Sequence, residues 1–159
     1  MDANDERFLR EAIALARAGM DRNEGGPFGC VIVKDGSVVG RGNNRVTSTN
    51  DPTAHAEVVA IRDACAELGS YQLTGCTLYA SCEPCPMCLG AIYWARPDRI
   101  VFAGTRADAA DAGFDDQLIY DELPLRPEQR RIPTEASALR EEARRVFEAW
   151  KAKADKTAY

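Results

Sequence analysis

The sequence predicts an α/β fold, with a mixed β-sheet lying between helices. Three observations carry that expectation: a β-branched run joined to a hairpin turn signal over residues 28–39, a strand, helix, strand succession over residues 76–103, and apolar positions at helical spacing over residues 5–19 and 54–69.

Phe8, Leu9, Ala12, Ile13, Leu15 and Ala16 recur at helical spacing, with Asn4 or Asp5 as a candidate N-cap and Gly19 as a stop, so a helix is expected over residues 5–19. Phe28-Gly29-Cys30-Val31-Ile32-Val33 is a short β-branched run, Asp35-Gly36 a hairpin turn signal, and Val38-Val39 the start of the return strand. The polar segment NNRVTSTNDPT, residues 43–53, reads as a loop. It leads into a helix over residues 54–69, with Val58, Val59, Ile61, Ala64, Cys65 and Leu68 as its apolar positions and Gly69 as its stop. Cys76 to Ala80 forms a strand, residues 86–96 a helix ended by Pro97, and Arg99 to Ala103 another strand. Such a succession pairs its two strands in parallel through a right-handed crossover, whereas the hairpin is antiparallel, and the sheet is therefore mixed. Beyond Thr105 the patterning weakens: residues 106–122 are rich in Ala and Asp, residues 124–133 carry three prolines, and residues 136–153 return to helical periodicity. A chain of 159 residues without repeats or low complexity fits one domain, residues 1–159.

Composition narrows the function classes. No apolar stretch approaches the roughly 20 residues needed to span a bilayer, so membrane insertion is not expected. The N-terminal MDANDERFLR carries acids where a secretory leader needs a basic segment and then an apolar one, which points to the cytoplasm. A net charge of -5 repels polyanions, so a small neutral substrate fits better than a nucleic acid, unless a local basic patch exists. Six cysteines without a leader read as metal ligands or buried thiols rather than disulfides.

The chemistry is concentrated in SCEPCPMC, residues 81–88, and TAHAEVVAI, residues 53–61. Cys85 and Cys88, three apart, lie about 60° apart on a helix, close enough to bind one ion. A helix start also stabilises thiolates, and Pro84 and Pro86 help to set one there. The single histidine, His55, has Glu57 two residues later; on an ideal helix the two would point about 200° apart, so they converge only at a helix entrance. Asp51-Pro52 is the expected N-cap and first-turn pair, which puts His55 in the first turn.

Each motif alone has bland alternatives. HAE could be a solvent-facing helix start. The CxxC pair could be a redox pair or part of a closed structural zinc site, which usually needs four ligands; a ferredoxin-type cluster would need a further cysteine where Ile92 stands. Jointly, two cysteines and one histidine make the three-ligand set of a catalytic zinc, whose open position makes water acidic enough to attack near neutral pH. That chemistry needs a proton carrier that is not a ligand, and Glu57 fits the role. His-x-Glu followed by Pro-Cys-x-x-Cys is the signature of the zinc deaminases, here at residues 55–57 and 84–88. One zinc per chain, bound by His55, Cys85 and Cys88, is expected. Cys82 reads as a packing or outer residue beside the site, and Cys30, Cys65 and Cys76 as core positions.

With GGPFG at residues 25–29, NDPTAHAE at 50–57, SCEPCPMCLGAIYWAR at 81–96, DAADAGFDD at 108–116 and a C-terminal tyrosine, the chain resembles the cytidine deaminase-like superfamily and, more narrowly, the small bacterial guanine deaminases. The resemblance covers nearly the whole chain. It implies the three-layer cytidine deaminase-like fold, a zinc cofactor, and hydrolytic deamination of guanine to xanthine and ammonia in purine catabolism or salvage. By the same resemblance Asp116 moves protons at the leaving amino group, Phe28 stacks on the base, and Asn44 contacts the purine ring. It further implies a homodimer that exchanges a C-terminal segment, residues 134–159, so that Tyr159 reaches the partner's site.

Read without the resemblance, GGPFG is a turn into a strand, Asn44 a loop-capping amide, Asp116 a solvated carboxylate and Tyr159 a frayed end. Trp94, near the end of its helix, is a core residue, a wall of the substrate site or a direct contact. A carboxylate at position 116 also suits guanine physically, since N1-H and the 2-amino group are donors facing an acceptor-only side chain. The first three motifs are shared with tRNA adenosine deaminases, so adenosine in tRNA remains an alternative substrate, as does another small amino-heterocycle. A non-catalytic zinc-stabilised binding domain is the alternative of another class, and it has no need of Glu57.

Overall fold

Helix α1 (Ala3–Asp21) precedes an antiparallel hairpin of β1 (Gly29–Lys34) and β2 (Ser37–Asn43) in the computed structural model, which describes residues 3–159. The hairpin closes through Asp35 and Gly36, both left-handed with φ 49 and 75, the paired geometry that matches the twist of the flanking strands. A one-turn helix α2 (Val46–Thr49) interrupts the segment expected to be loop, and α3 (Ala56–Leu68) follows. Then come β3 (Cys76–Cys82), α4 (Pro86–Ala95), β4 (Arg99–Gly104) and the short α5 (Arg106–Asp111). The chain divides into two units, Met1–Asp116 and Gln117–Tyr159.

In the first unit the strand order is β2-β1-β3-β4; β1 is antiparallel to both neighbours, and β3 runs parallel to β4. The α/β class, the mixed sheet and the parallel crossover are all present. Alternation along the strands makes two cores. Cys30, Ile32, Leu78 and Ala80 face Ala56, Ala60 and Ala64 of α3 and Ile92 and Ala95 of α4. Val31, Val33, Tyr79 and Val101 face Phe8 and Leu9 of α1 on the other side. The result is three layers, with α1 on one face and α3 and α4 on the other.

Two glycines set how closely α3 approaches. A β-carbon at Gly40 would come within 2.6 Å of the Ala60 carbonyl oxygen, and one at Gly42 would overlap the Ala56 carbonyl oxygen and meet the Ala60 nitrogen at 2.5 Å. Helix backbone therefore lies directly on strand backbone, which only glycine permits.

The expected N-cap role of Asn4 or Asp5 is corrected: both lie inside α1. Asp5 is 2% exposed. Its carboxylate accepts hydrogen bonds from the Tyr79 hydroxyl at 2.9 Å and from two guanidinium nitrogens of Arg99 at 2.9 and 2.8 Å. These charge-assisted bonds, together with the layer of apolar contacts, let a carboxylate sit in the core and tie α1 to β3 and β4. Of the expected core cysteines, Cys30 and Cys76 are fully buried and Cys65 half-buried.

Residues 106–122, weakly patterned in sequence, hold two short helices, α5 and α6 (Gln117–Glu122). The start of α5 is a reciprocal capping box between Thr105 and Asp108. The second unit comprises α6, a 3-10 turn at Pro127–Gln129 and α7 (Arg140–Ala152), which carries Val146, Phe147 and Trp150 exposed. No helix among the described residues is long and apolar enough to cross a membrane.

Candidate active site

Two helix starts converge on the metal-binding side chains. His55 is the N-cap of α3 and Cys85 the N-cap of α4, both with extended backbone, and Pro86 opens α4 where its missing N-H costs nothing. Asp51-Pro52 does not start the helix, contrary to the sequence expectation. Asp51 instead accepts hydrogen bonds from the Thr53 backbone and hydroxyl at 2.8 and 2.6 Å, a local turn that uses its carboxylate before the helix begins. His55 nonetheless sits at the helix entrance, as expected, where it is the N-cap itself, with Glu57 two residues in.

His55 Nδ1 lies 3.6 Å from Cys85 Sγ and 3.4 Å from Cys88 Sγ, and the three ligand atoms are within 4.8 Å of one another. Zinc bound tetrahedrally, with bonds of about 2.3 Å to sulfur and about 2.0 Å to nitrogen, requires a sulfur to nitrogen separation of roughly 3.5 Å. The donor set fits that ion. Three protein ligands also leave a tetrahedral position for water or substrate. Cys82 is outside the group: its Sγ lies 3.4 Å from the Thr105 carbonyl oxygen.

The electrostatics agree with a cation site. The Cys85 thiol is lowered to about 4, first by its hydrogen bond with Cys88 and then by His55, against the opposing effect of burial. Cys88 moves the other way, raised first by its bond with Cys85 and then by burial, so that one thiolate forms at its neighbour's expense. A dication held by His55, Cys85 and Cys88 would remove the conflict by stabilising both thiolates. Glu57 is 8% exposed. Burial raises its carboxyl above the usual range, while its own backbone, Cys88 and His55 pull it down.

A second group of residues lines up through backbone ties. The Phe28 carbonyl accepts from the Asn44 backbone at 3.0 Å, and the Gly29 N-H donates to Ser81 Oγ at 2.9 Å. Asn44, 6% exposed, accepts from the Gly26 and Val46 N-H groups at 3.2 and 3.1 Å through the same Oδ1. Two backbone donors fix the orientation of that amide, leaving its NH2 as the group it can offer to a ligand. Glu24 braces the loop from below: Asn43 donates to its carboxylate at 2.6 Å, and Ser48 donates to its carbonyl at 2.7 Å.

The chain matches the cytidine and deoxycytidylate deaminase zinc-binding region over residues 2–104. It belongs to that zinc-dependent deaminase family. The deaminase chain is 55% identical over 156 residues to the guanine deaminase of Bacillus subtilis (strain 168), a match covering 98% of this chain and 99% of that one. The X-ray structure of the Bacillus subtilis guanine deaminase superposes with a TM-score of 0.95 at 54% identity, covering 100% of this chain and 99% of the other. The tRNA-specific adenosine deaminase of Aquifex aeolicus (strain VF5) is 40% identical over 98 residues, 62% of this chain and 64% of its own.

The remaining expected residues of this deaminase are placed differently. Asp116, whose side chain is 19% exposed, lies with Arg106 Nε 4.0 Å from its Oδ1. Burial raises its carboxyl, opposed first by the Arg106 charge. Trp94 lies on α4 six residues beyond Cys88, turned by about 240° around the helix, and is 64% exposed. The structure does not bring it to the metal ligands. Tyr159 ends the second unit with its ring exposed. Sequence reasoning missed Phe114, whose ring meets Phe28 edge-on at 5.0 Å and 88°. Its signal was the first residue of FDD, from which only the second aspartate was taken.

Proposed function

We propose that this zinc-dependent deaminase converts guanine and water to xanthine and ammonia. The observation that carries the reading is the breadth of similarity: the match to a guanine deaminase runs over 98% of the chain, whereas matches to tRNA-specific adenosine deaminases cover 62% to 74% of it. A net charge of -5 supports a small purine over a nucleic acid as the partner.

Held by His55, Cys85 and Cys88, zinc would make a water acidic enough to be a nucleophile near neutral pH. The residues around it do the rest. Glu57 accepts a proton from the attacking water and delivers it to N3 of guanine, as oxygen bonds to C2. It then carries the second water proton toward the amino group, with Asp116 accepting hydrogen bonds from N1-H and the 2-amino group and assisting that transfer. The C2-N bond breaks, and ammonia leaves as the C2 carbonyl forms. Burial raises the Glu57 carboxyl, which makes its carboxylate a stronger proton acceptor than an exposed one. Asn44 offers its NH2 to a ring acceptor, and Phe28 supplies the aromatic face.

Residues 1–159 are read as one catalytic domain of a cytoplasmic homodimer, with residues 134–159 exchanged between protomers so that Tyr159 closes the partner's site. The exposed Val146, Phe147 and Trp150 support the exchange, since an apolar stripe of this kind normally packs against another surface.

The deciding experiment measures ammonia release by zinc-loaded protein from guanine and, separately, from a tRNA anticodon stem-loop carrying adenosine. Release from guanine alone is expected. Release from the stem-loop alone would overturn the substrate, and silence from both would leave only a zinc-binding protein of this family.

A further inference from the structure

Asp116 closes a segment without regular structure that follows α5, entered through Gly113 at φ 92. A carboxylate on such a segment has rotamer freedom, yet proton transfer demands placement within a fraction of an ångström. The side chain that meets it is Arg106, at the first position of α5, with Nε 4.0 Å from Asp116 Oδ1.

The base of Arg106 is itself fixed to the metal-bearing loop. Its backbone N-H donates to Glu83 Oε2 at 3.1 Å, and the Glu83 N-H donates to the Gly104 carbonyl at 2.9 Å. Glu83 stands two residues before Cys85, so backbone and carboxylate bonds run without a gap from the zinc loop to the start of α5. The Thr105 and Asp108 capping box holds the same helix start from the other side. Neither partner of the ion pair floats in solvent: the Arg106 and Asp116 side chains are 35% and 19% exposed. Shielding of that degree reduces the screening that makes most surface pairs ineffective.

We propose that Arg106 is a positioning residue for the reaction, orienting the Asp116 carboxylate relative to the metal ligands through the Glu83 anchor. The inference rests on the reading of Asp116 as the group that handles the leaving amine. At 4.0 Å the guanidinium meets the Oδ1 side of the carboxylate as a charge contact rather than a hydrogen bond, which biases the carboxylate toward the orientation that leaves Oδ2 for the donors of the ring. Without the guanidinium the carboxylate samples other rotamers, and fewer substrate encounters find it in place.

The test uses Asp116→Asn, Arg106→Ala, Arg106→Lys and the double variant Arg106→Ala with Asp116→Asn, all zinc-loaded, with guanine as substrate. Arg106→Ala is expected to lower kcat about tenfold with KM changed less than about threefold, because orientation rather than binding is lost. Arg106→Lys keeps the charge and is expected to recover most of the rate, and its retained side chain guards against a folding defect in the alanine variant. The double variant is expected to be no slower than Asp116→Asn alone, the signature of two residues acting as one unit. Zinc content near one per chain in all four makes the comparison one of chemistry. Wild-type kcat in Arg106→Ala, or losses that multiply in the double variant, would overturn the proposal. Full activity in Asp116→Asn would instead remove Asp116 from the mechanism, and Arg106 with it, a result that the first two outcomes cannot mimic.

Discussion

Cys88 Sγ and His55 Nδ1 stand 3.4 Å apart although 33 residues separate them in the chain. One belongs to the first turn of α4 and the other caps α3, so the contact exists only because two helices begin at the same point on one face of the sheet. Replacing either side chain should release the metal. Cys88→Ser is expected to bring zinc well below one per chain and to cut guanine turnover by more than ~100-fold, as removal of a ligand does where the metal supplies the nucleophile. Metal analysis beside an ammonia assay checks both, and a fully loaded, active Cys88→Ser would remove that sulfur from the site.

Glu57 shares the helix start with His55 without being a ligand. Glu57→Gln preserves shape and burial while removing the proton-accepting group. It is expected to retain zinc and melting temperature and to lose at least ~100-fold in kcat, the usual scale for a general acid-base. Undiminished turnover would show that another group carries the proton.

Asn44 spends its oxygen on two backbone N-H groups and has its NH2 to offer. Asn44→Asp keeps an acceptor for those groups but withdraws the donor. We expect a fold close to wild type by circular dichroism and a ~10-fold to ~100-fold fall in kcat/KM on guanine, the range for leaving one buried hydrogen bond unmade. If the two substitutions Asn44→Asp and Asn44→Ala prove equally unstable and equally poor, the amide is structural only.

The Glu24 carboxyl is lowered to about 2, first by its hydrogen bond with Arg22, next by that with Asn43. The folded value lies below the ordinary 4.5, so this contribution is fully present above that pH and fades as pH falls toward about 2. Urea unfolding of wild type and Glu24→Gln at about pH 6 and about pH 3 should therefore show a gap that narrows in acid. A gap independent of pH would mean that the carboxylate charge plays no part in bracing the loop.

Removing residues 156–159 is expected to lower activity on guanine while zinc stays near one per chain, because the metal ligands all lie in the first unit. Unchanged activity would take Tyr159 out of the catalytic site.

Much of the metal site was legible in the sequence because it depends on short-range spacing. Cys85 and Cys88 are placed by a helix start that Pro86 announces, and His55 and Glu57 by one that the onset of apolar spacing after residue 54 announces. The hairpin and the parallel crossover were legible for the same reason, since turn chemistry and strand length are local. Asp51-Pro52 misled because an aspartate that can cap a helix can equally bond to the residue two ahead, and here the second use won. Asp5 misled because nothing nearby in sequence reveals that Tyr79 and Arg99 await it. The edge contact of Phe28 with Phe114 arises from packing between distant segments, and the approach of Arg106 to Asp116 from the turn that follows α5, neither of which periodicity encodes. Thr105 to Asp108 was readable as a capping box, yet the run of Ala and Asp around it hid the helix.

The glycines of β2 divide the molecule into parts that can change and parts that cannot. Because α3 rests on strand backbone at Gly40 and Gly42, no side chain there can be enlarged without lifting the helix that carries His55 and Glu57. Phe28, Asn44, Phe114 and Asp116 ride instead on connecting segments outside the sheet. A library aimed at new amino-heterocycles can therefore vary Phe28, Phe114 and the residues beside them while holding Asn44, Asp116 and the two glycines, so that ring preference changes on an unaltered metal-binding frame.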